Sequence, residues 1–266
     1  MKLKHLFPVV LITSSIAATI SAEEYQTFVD LSYVNIDTPI SSFDEDWYIL
    51  SATHFFSPKE TLGPLSELEY INRSSRAFAS YSDFENFDST TIGGDFISDS
   101  FLVGASYSEI GDFDTTSFNL GYFINENFLI KAVAYKPESF DTEYSYSAQY
   151  NHQLEGNDYL GFSYTTDDNF DNQSISSTYF THLGDNQYFK ATATYHNSEL
   201  NDFWSAQASY YFNQMTSVAI GYNDDKDVMV GIEHFFNKNY ALKAEYIEGN
   251  DDFKSDIYQV TFSARF

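Results

Sequence analysis

The sequence predicts an all-β protein: a transmembrane antiparallel up-and-down β-barrel of about 16 strands, with 14 as the rival count. Three observations lead there. Apolar and polar residues alternate with a period of two along most of the chain, which puts each set on one face of a strand. Rings are abundant, 22 Tyr and 26 Phe against 2 Trp in 266 residues, as the aromatic girdles of a membrane barrel require. The connections fall into two alternating classes, short neutral turns and longer acidic loops. A mean hydropathy of −0.34 excludes a bundle of membrane helices. It does not exclude a barrel, in which only every second residue meets lipid.

The N-terminus reads as a secretory signal. Lys2 and Lys4 supply positive charge, an apolar run extends from Leu6 to Ala18, and Ile20-Ser21-Ala22 ends on a small residue, the pattern of a cleavage site. The expected organisation is a cleaved signal peptide over 1–22 and one barrel domain over 23–266. An anchoring helix is the alternative. Pro8, Thr13, Ser14 and Ser15 interrupt the run, which is short for a span of about 20 residues. The chain has no cysteine, so pairing and burial alone must hold an exported fold.

From Glu24 onward the strands follow in order. One face carries Thr116, Phe118, Leu120 and Tyr122, then Phe128, Ile130, Ala132 and Ala134. It continues with Tyr144, Tyr146, Ala148 and Tyr150, with Leu160, Phe162 and Tyr164, and with Phe189, Ala191, Ala193 and Tyr195. Trp204, Ala206, Ala208 and Tyr210 follow, then Val218, Ile220 and Tyr222, then Tyr240, Leu242, Ala244 and Tyr246. The last strand shows Tyr258, Val260, Phe262, Ala264 and Phe266. The opposite face is mostly Ser, Thr, Gln and Asn. A β-sandwich also alternates, but it turns its rings inward and carries Lys and Glu outside. The phase of Trp47–Phe56 and of Leu65–Asn72 stays open.

The short connections are Ser98-Asp99-Ser100, Asn125-Glu126-Asn127, Asn213-Gln214-Met215 and Asn237-Lys238-Asn239, built from residues that tolerate turn geometry. Several are flanked by rings, as at Tyr122-Phe123, Tyr211-Phe212 and Phe235-Phe236. The long connections hold most of the 39 acidic residues. They include Asp44, Glu45 and Asp46; Asp83, Glu85 and Asp88; Glu109, Asp112 and Asp114; and Glu138, Asp141 and Glu143. Asp167, Asp168 and Asp171, Glu199 and Asp202, Asp224, Asp225 and Asp227, and Glu248, Asp251 and Asp252 complete them. Strict alternation gathers these loops at one end, the extracellular one, with the short turns and both termini on the periplasmic side.

The net charge of −26 excludes nucleic acid as a partner, since phosphate binding needs a basic patch. An anionic ring at the outer mouth concentrates cations and repels anions. The competing reading is a solvated rim that holds divalent cations against lipopolysaccharide. Counting by phase, Glu67, Glu69, Lys131, Glu143, Gln149, Lys190, Glu233, Lys243, Glu245 and Arg265 face the lumen. Opposed Lys and carboxylates there either set a transverse field or pair into bridges that stiffen the wall. A barrel of this size is too wide for side chains alone to fill, and no stretch reads as a separate plug domain.

No enzyme is expected. His54, His152, His182, His196 and His234 are scattered, and the chain lacks HExxH, GxSxG, P-loop and cysteine sites. The Asp167–Asp171 loop lacks the Gly and terminal Glu of a calcium-binding EF-hand. No cofactor and no metal site are expected.

The final strand, Tyr258-Gln259-Val260-Thr261-Phe262-Ser263-Ala264-Arg265-Phe266, resembles the terminal strand of Gram-negative outer-membrane porins. Gly63-Pro64-Leu65 and Asn72-Arg73-Ser74 resemble the short porins of marine gammaproteobacteria. The resemblance implies an outer-membrane channel for passive diffusion of small hydrophilic solutes. It makes Tyr258, Val260, Phe262 and Phe266 the signal read by the barrel-assembly machinery, and outer-membrane lipid and lipopolysaccharide the surroundings. By analogy it also suggests a homotrimer. The chain departs from the family in its third outer connection, Glu109–Asp114, which is too short to fold inward. The longest, about Arg73–Asp88, is the second, where trimeric porins latch onto a neighbour. The rival class is a closed structural or adhesive barrel that binds a partner through its acidic loops. A lipase-like barrel is a third class.

Overall fold

The described residues of the computed structural model are 23–39, 45–84, 86–198, 202–250 and 255–266. The expected signal segment 1–22 and the acids Asp44, Glu85, Glu199, Asp251 and Asp252 lie outside them. The described residues form sixteen strands and no helix. They are β1 (Glu24–Asp37), β2 (Glu45–Glu60), β3 (Arg76–Asp83), β4 (Asp88–Ser98), β5 (Phe101–Ile110) and β6 (Phe113–Asn125). Next come β7 (Phe128–Pro137), β8 (Glu143–Gln153), β9 (Tyr159–Asp167), β10 (Gln173–Gly184) and β11 (Gln187–Asn197). The last five are β12 (Phe203–Asn213), β13 (Thr216–Asn223), β14 (Val228–Phe235), β15 (Tyr240–Glu248) and β16 (Asp256–Arg265).

Each strand pairs antiparallel with its sequence neighbours, and β1 pairs with β16 to close the barrel. Closure leaves no unpaired edge. At the seam the Phe266 carbonyl accepts the backbone N–H of Gln26 (2.6 Å) and of Thr27 (2.7 Å). The turn between β10 and β11 shows why the turns are so short. Asp185 and Asn186 both take positive φ, 49° and 61°, the geometry whose twist matches a two-residue hairpin.

One connection at the turn end breaks the pattern. Residues 61–75, between β2 and β3, fold into the barrel instead of turning back. Thr61 and Leu68 form an antiparallel bridge, and the Leu62 N–H donates to the Glu67 carbonyl at 2.9 Å, so the first half is a small hairpin lying inside the wall. This corrects two expectations. Leu65–Asn72 is not a wall strand, and its phase stays open because its apolar residues answer to three different parts of the wall. Arg73–Asp88 is not a long outer loop, because it contains β3, and the loop-end connection there is only residues 84–87. With it goes the latch-length loop on which the trimer analogy rested. β3 escapes notice because its outward face is Ala77, Ala79 and Tyr81, while Arg76 and Phe78 face in.

The buried core sits between this segment and the wall. Leu65 packs with Phe235 and Ala241. Leu62 and Tyr70 pack on Tyr159, Phe180, Tyr188 and Tyr211. Ile71 packs with Leu102, Phe123 and Leu129. The ring doublets supply this core. Tyr122, Tyr179, Phe212 and Phe236 point outward at 43%, 39%, 48% and 60% exposure, while their neighbours Phe123, Phe180, Tyr211 and Phe235 are buried at 2%, 0%, 4% and 1%. Burial of one such side chain is worth about 1.5–3 kcal/mol, so several together fix the segment firmly. Tyr159, Phe180 and Tyr188 stack as a ladder, with centroids 5.6 and 5.8 Å apart.

Two glycines allow the close approach. A Cβ on Gly63, whose φ is +132°, would lie 2.4 Å from the Tyr188 ring, and a Cβ on Gly161 would lie 2.5 Å from the Tyr70 ring. Each ring occupies the notch that the missing side chain leaves.

Gly161→Ala is therefore expected to lower the stability of the detergent-folded barrel by about 1–3 kcal/mol through overpacking, read as a lower urea midpoint. The absence of cysteine provides a reporter. A cysteine placed at Ile71 should be protected from maleimide in the otherwise native chain and labelled once Gly161→Ala is added. Equal labelling in both backgrounds contradicts this seating of the segment.

Candidate functional site

The segment crosses the lumen near the turn end, and polar cavities lie on both of its faces. On the loop side a cavity of about 340 Å³ is bounded by Glu67, Lys190, Tyr211, Glu233, Lys243 and Arg265. On the turn side a cavity of about 230 Å³ is bounded by Glu69, Arg73, Glu126, Asn151 and Asn157. The segment thus takes up part of the lumen at the level where it packs on the wall.

Charge pairs tie the segment to the wall. Lys190 lies 2.9 Å from Glu67, and the Tyr211 hydroxyl donates to the same carboxylate at 2.5 Å. Lys59 of β2 pairs with Glu69 and donates to Asn72 Oδ1 at 2.8 Å. Arg265 donates to the Leu65 carbonyl and lies over the Phe28 and Phe235 rings at 5.5 and 4.9 Å. Buried ions of this kind need partners, because a lone charge out of water is costly. Burial also pushes the Tyr70 phenol above its usual value.

The residues singled out from sequence are placed as follows. Glu67 and Glu69 are inside the barrel, but on the segment and not on the wall. Lys190, Glu233, Lys243, Glu245 and Arg265 line the inner face of β11 and β14–β16, and Lys243 pairs with Glu245 at 2.8 Å. Lys131 and Gln149 share the inner face of β7 and β8, with Lys131 opposite Gly121 and Ser147 in register. Glu143 stands at the loop end of β8, beside a cavity of about 540 Å³ that also borders Asp167, Asp168 and Asp171.

The described acids of the mouth all sit at the loop end, and several order their own loops. Asp167 accepts from the Asp171 N–H (2.9 Å), the Asn172 N–H (3.2 Å) and Asn172 Nδ2 (2.6 Å). Asp227 accepts from Asn223 Nδ2 and from the Asn250 N–H, at 2.9 and 2.7 Å. Glu45 accepts from Trp47 Nε1 at 2.9 Å. Asp46 faces outward, where the Tyr33 hydroxyl donates to it at 2.7 Å. Asp112 and Asp225 are exposed. Asp114, Asp168 and Asp224 lie in or beside the same ring of connections. Of the terminal residues, Tyr258, Val260 and Phe262 share the outer face of β16, exposed Phe266 follows directly after it, and Phe262 stacks on Tyr240 at 6.0 Å.

Sequence reasoning missed the inward rings, Lys59, and a pair beside the segment: Arg76 lies 2.8 Å from Asp95, which also accepts from Asn119 at 3.1 Å. The doublets were the available signal for the rings, since adjacent residues of a strand cannot share a face. His54 and His234 sit at the turn-end girdle, edge-on to Phe56 and Phe236 and within 3.0 and 2.9 Å of the Thr27 and Thr216 hydroxyls. Those contacts use each ring as an interfacial anchor.

Among solved structures the chain is similar to the outer membrane protein Omp33 of Acinetobacter baumannii, with a TM-score of 0.60 and 16% identity over 92% of this chain and all of that one. It is also similar to a triple mutant of the Rhodopseudomonas blastica porin, with a TM-score of 0.53 and 10% identity over 90% of this chain and 99% of that one. A double mutant of the same porin gives 0.56 at 9% identity, with the same coverage of both chains. At such identities the likeness establishes the barrel fold. No curated protein sequence matches significantly. The profile of the family described as "Putative general bacterial porin" matches residues 1–266. The chain therefore belongs to the general bacterial porin family, as an outer-membrane β-barrel channel of the Gram-negative type.

Proposed function

We propose that the chain is a passive channel for small hydrophilic solutes that favours cations over anions. The observation that carries this reading is the division of charge along the axis. At the mouth, carboxylates crowd a rim in a chain of net charge −26. At the narrow level, positive and negative groups pair off, as in Lys190–Glu67, Lys59–Glu69 and Arg76–Asp95. The mouth sets the sign of the field, and the constriction sets the size of what passes. Screening confines the field to about 8 Å at physiological ionic strength, so the preference arises at the opening and strengthens as salt falls. Solutes would pass beside the segment, whose two faces both carry polar cavities.

The rest of the reading follows the same chemistry. Residues 1–22 direct export and are removed. The apolar outer face of β16 with Phe266 presents the strand to the assembly machinery. Rim carboxylates take divalent cations that bridge to lipopolysaccharide phosphates.

Reconstituted in planar bilayers, the mature chain is expected to give conductance steps and a cation-favouring reversal potential under a salt gradient. Replacing Asp112, Asp168 and Asp225 by Asn should move that potential toward zero and leave the conductance at high salt nearly unchanged. Absent steps, or an anion preference, reject the reading. Replacing residues 62–74 by a tight turn should raise the unitary conductance several-fold, since it removes the body that crosses the lumen. An unchanged conductance would show that the segment does not limit flow.

A further inference from the structure

The cavity on the loop side of the segment is built differently from the mouth. It is bounded by three cationic groups, Lys190, Lys243 and Arg265, and two carboxylates, Glu67 and Glu233. In a strongly acidic protein this is a place where neither sign dominates. Its volume of about 340 Å³ is at the small end of ligand pockets, roughly 300–1,000 Å³. Gly231, Ala219, Ser209 and Ser217 leave it hollow between the charged groups.

Three of its charged groups keep bonding capacity. Lys190 and Glu67 satisfy each other at 2.9 Å. Glu233 instead has Ser66, Arg265 and Lys243 around it, and among the described residues no ion pair joins it to a Lys or Arg nitrogen within 4 Å. Arg265 gives one bond to the Leu65 carbonyl out of five N–H donors. Lys243 keeps 39% of its side chain exposed while it pairs with Glu245. The register puts Glu233 directly opposite Lys243 on the neighbouring strand. A carboxylate and two cations thus share one small wet cavity, held on rigid strands and floored by the segment.

We propose that this cavity is a transient binding site for small zwitterions of the α-amino-acid class. The ammonium would meet Glu233, and the carboxylate would meet Lys243 and Arg265. A lone cation meets three positive groups there and a lone anion meets two carboxylates, so only a solute that carries both signs satisfies each wall. A neutral sugar gains little, because the Tyr211 hydroxyl is engaged by Glu67 and no open aromatic platform is offered. Residence must stay brief for a channel to turn over, and binding by a few charge-assisted hydrogen bonds in water meets that need. The inference rests on the channel reading for its purpose, but the site itself is tested without conduction.

Saturation-transfer NMR on the folded protein in detergent provides the test, with glutamine as the probe and arabinose as a neutral solute of similar size. Glutamine is expected to receive saturation and arabinose not. Glu233→Gln and Lys243→Met should each weaken the glutamine signal about tenfold, and folding of each variant is checked by its heat-modifiable migration. No transfer to glutamine, equal transfer to both solutes, or unaltered transfer in both folded variants would overturn the proposal. Conductance in potassium chloride, measured in parallel, judges the channel reading separately.

Discussion

Neighbouring residues of a strand face opposite media, and in a membrane barrel those media are hydrocarbon and the lumen. The rest of this structure depends on that constraint. Wherever two rings adjoin near the turn end, one joins the lipid girdle and the other must enter the barrel. Phe123, Phe180, Tyr211 and Phe235 are such rings, and all are buried. A wide lumen would leave them in water. Residues 61–75 cover them, and the cover is also what narrows the channel. Stability and permeability are therefore set by the same side chains.

Electrostatics complete the division of labour. The outer face carries Tyr, Phe, Leu and small Ala residues and almost no charge. Among the described residues the carboxylates of the mouth enter no ion pair, and some are spent on ordering loops, as Asp167 and Asp227 are. The narrow level carries paired ions that hold the segment, because a buried charge without a partner would destabilise it. Arg265 links the two themes. It closes on the Leu65 carbonyl and on the Phe28 and Phe235 rings, so the last strand, the first strand and the segment meet at one side chain.

The closed barrel was readable in the sequence because strand periodicity and turn chemistry are local. The outward faces of β6–β9, β11–β13, β15 and β16 follow residue by residue from alternation, as Trp204, Ala206, Ala208 and Tyr210 illustrate. The lumen phase of Lys190, Lys243 and Arg265 follows from the same rule. The segment was not readable in this way. Leu62, Leu65, Tyr70 and Ile71 pack against strands far away in the chain, and no period in 61–75 encodes which wall each one meets. Gly63 and Gly161 matter only through the Tyr188 and Tyr70 rings seated against them, a relation between distant positions. The doublets were visible, and the alternation used everywhere else sends one ring of each pair inward.

The central claim is that residues 61–75 are seated across the lumen against inward rings. Cysteines at Leu65 and Ala241, in a chain that otherwise has none, allow a direct measurement with a short bifunctional thiol cross-linker on the barrel assembled in its membrane. The account predicts an efficient intramolecular cross-link that leaves the barrel folded. Two independently labelled thiols with no cross-link between them would show that the segment lies outside the lumen and would contradict it.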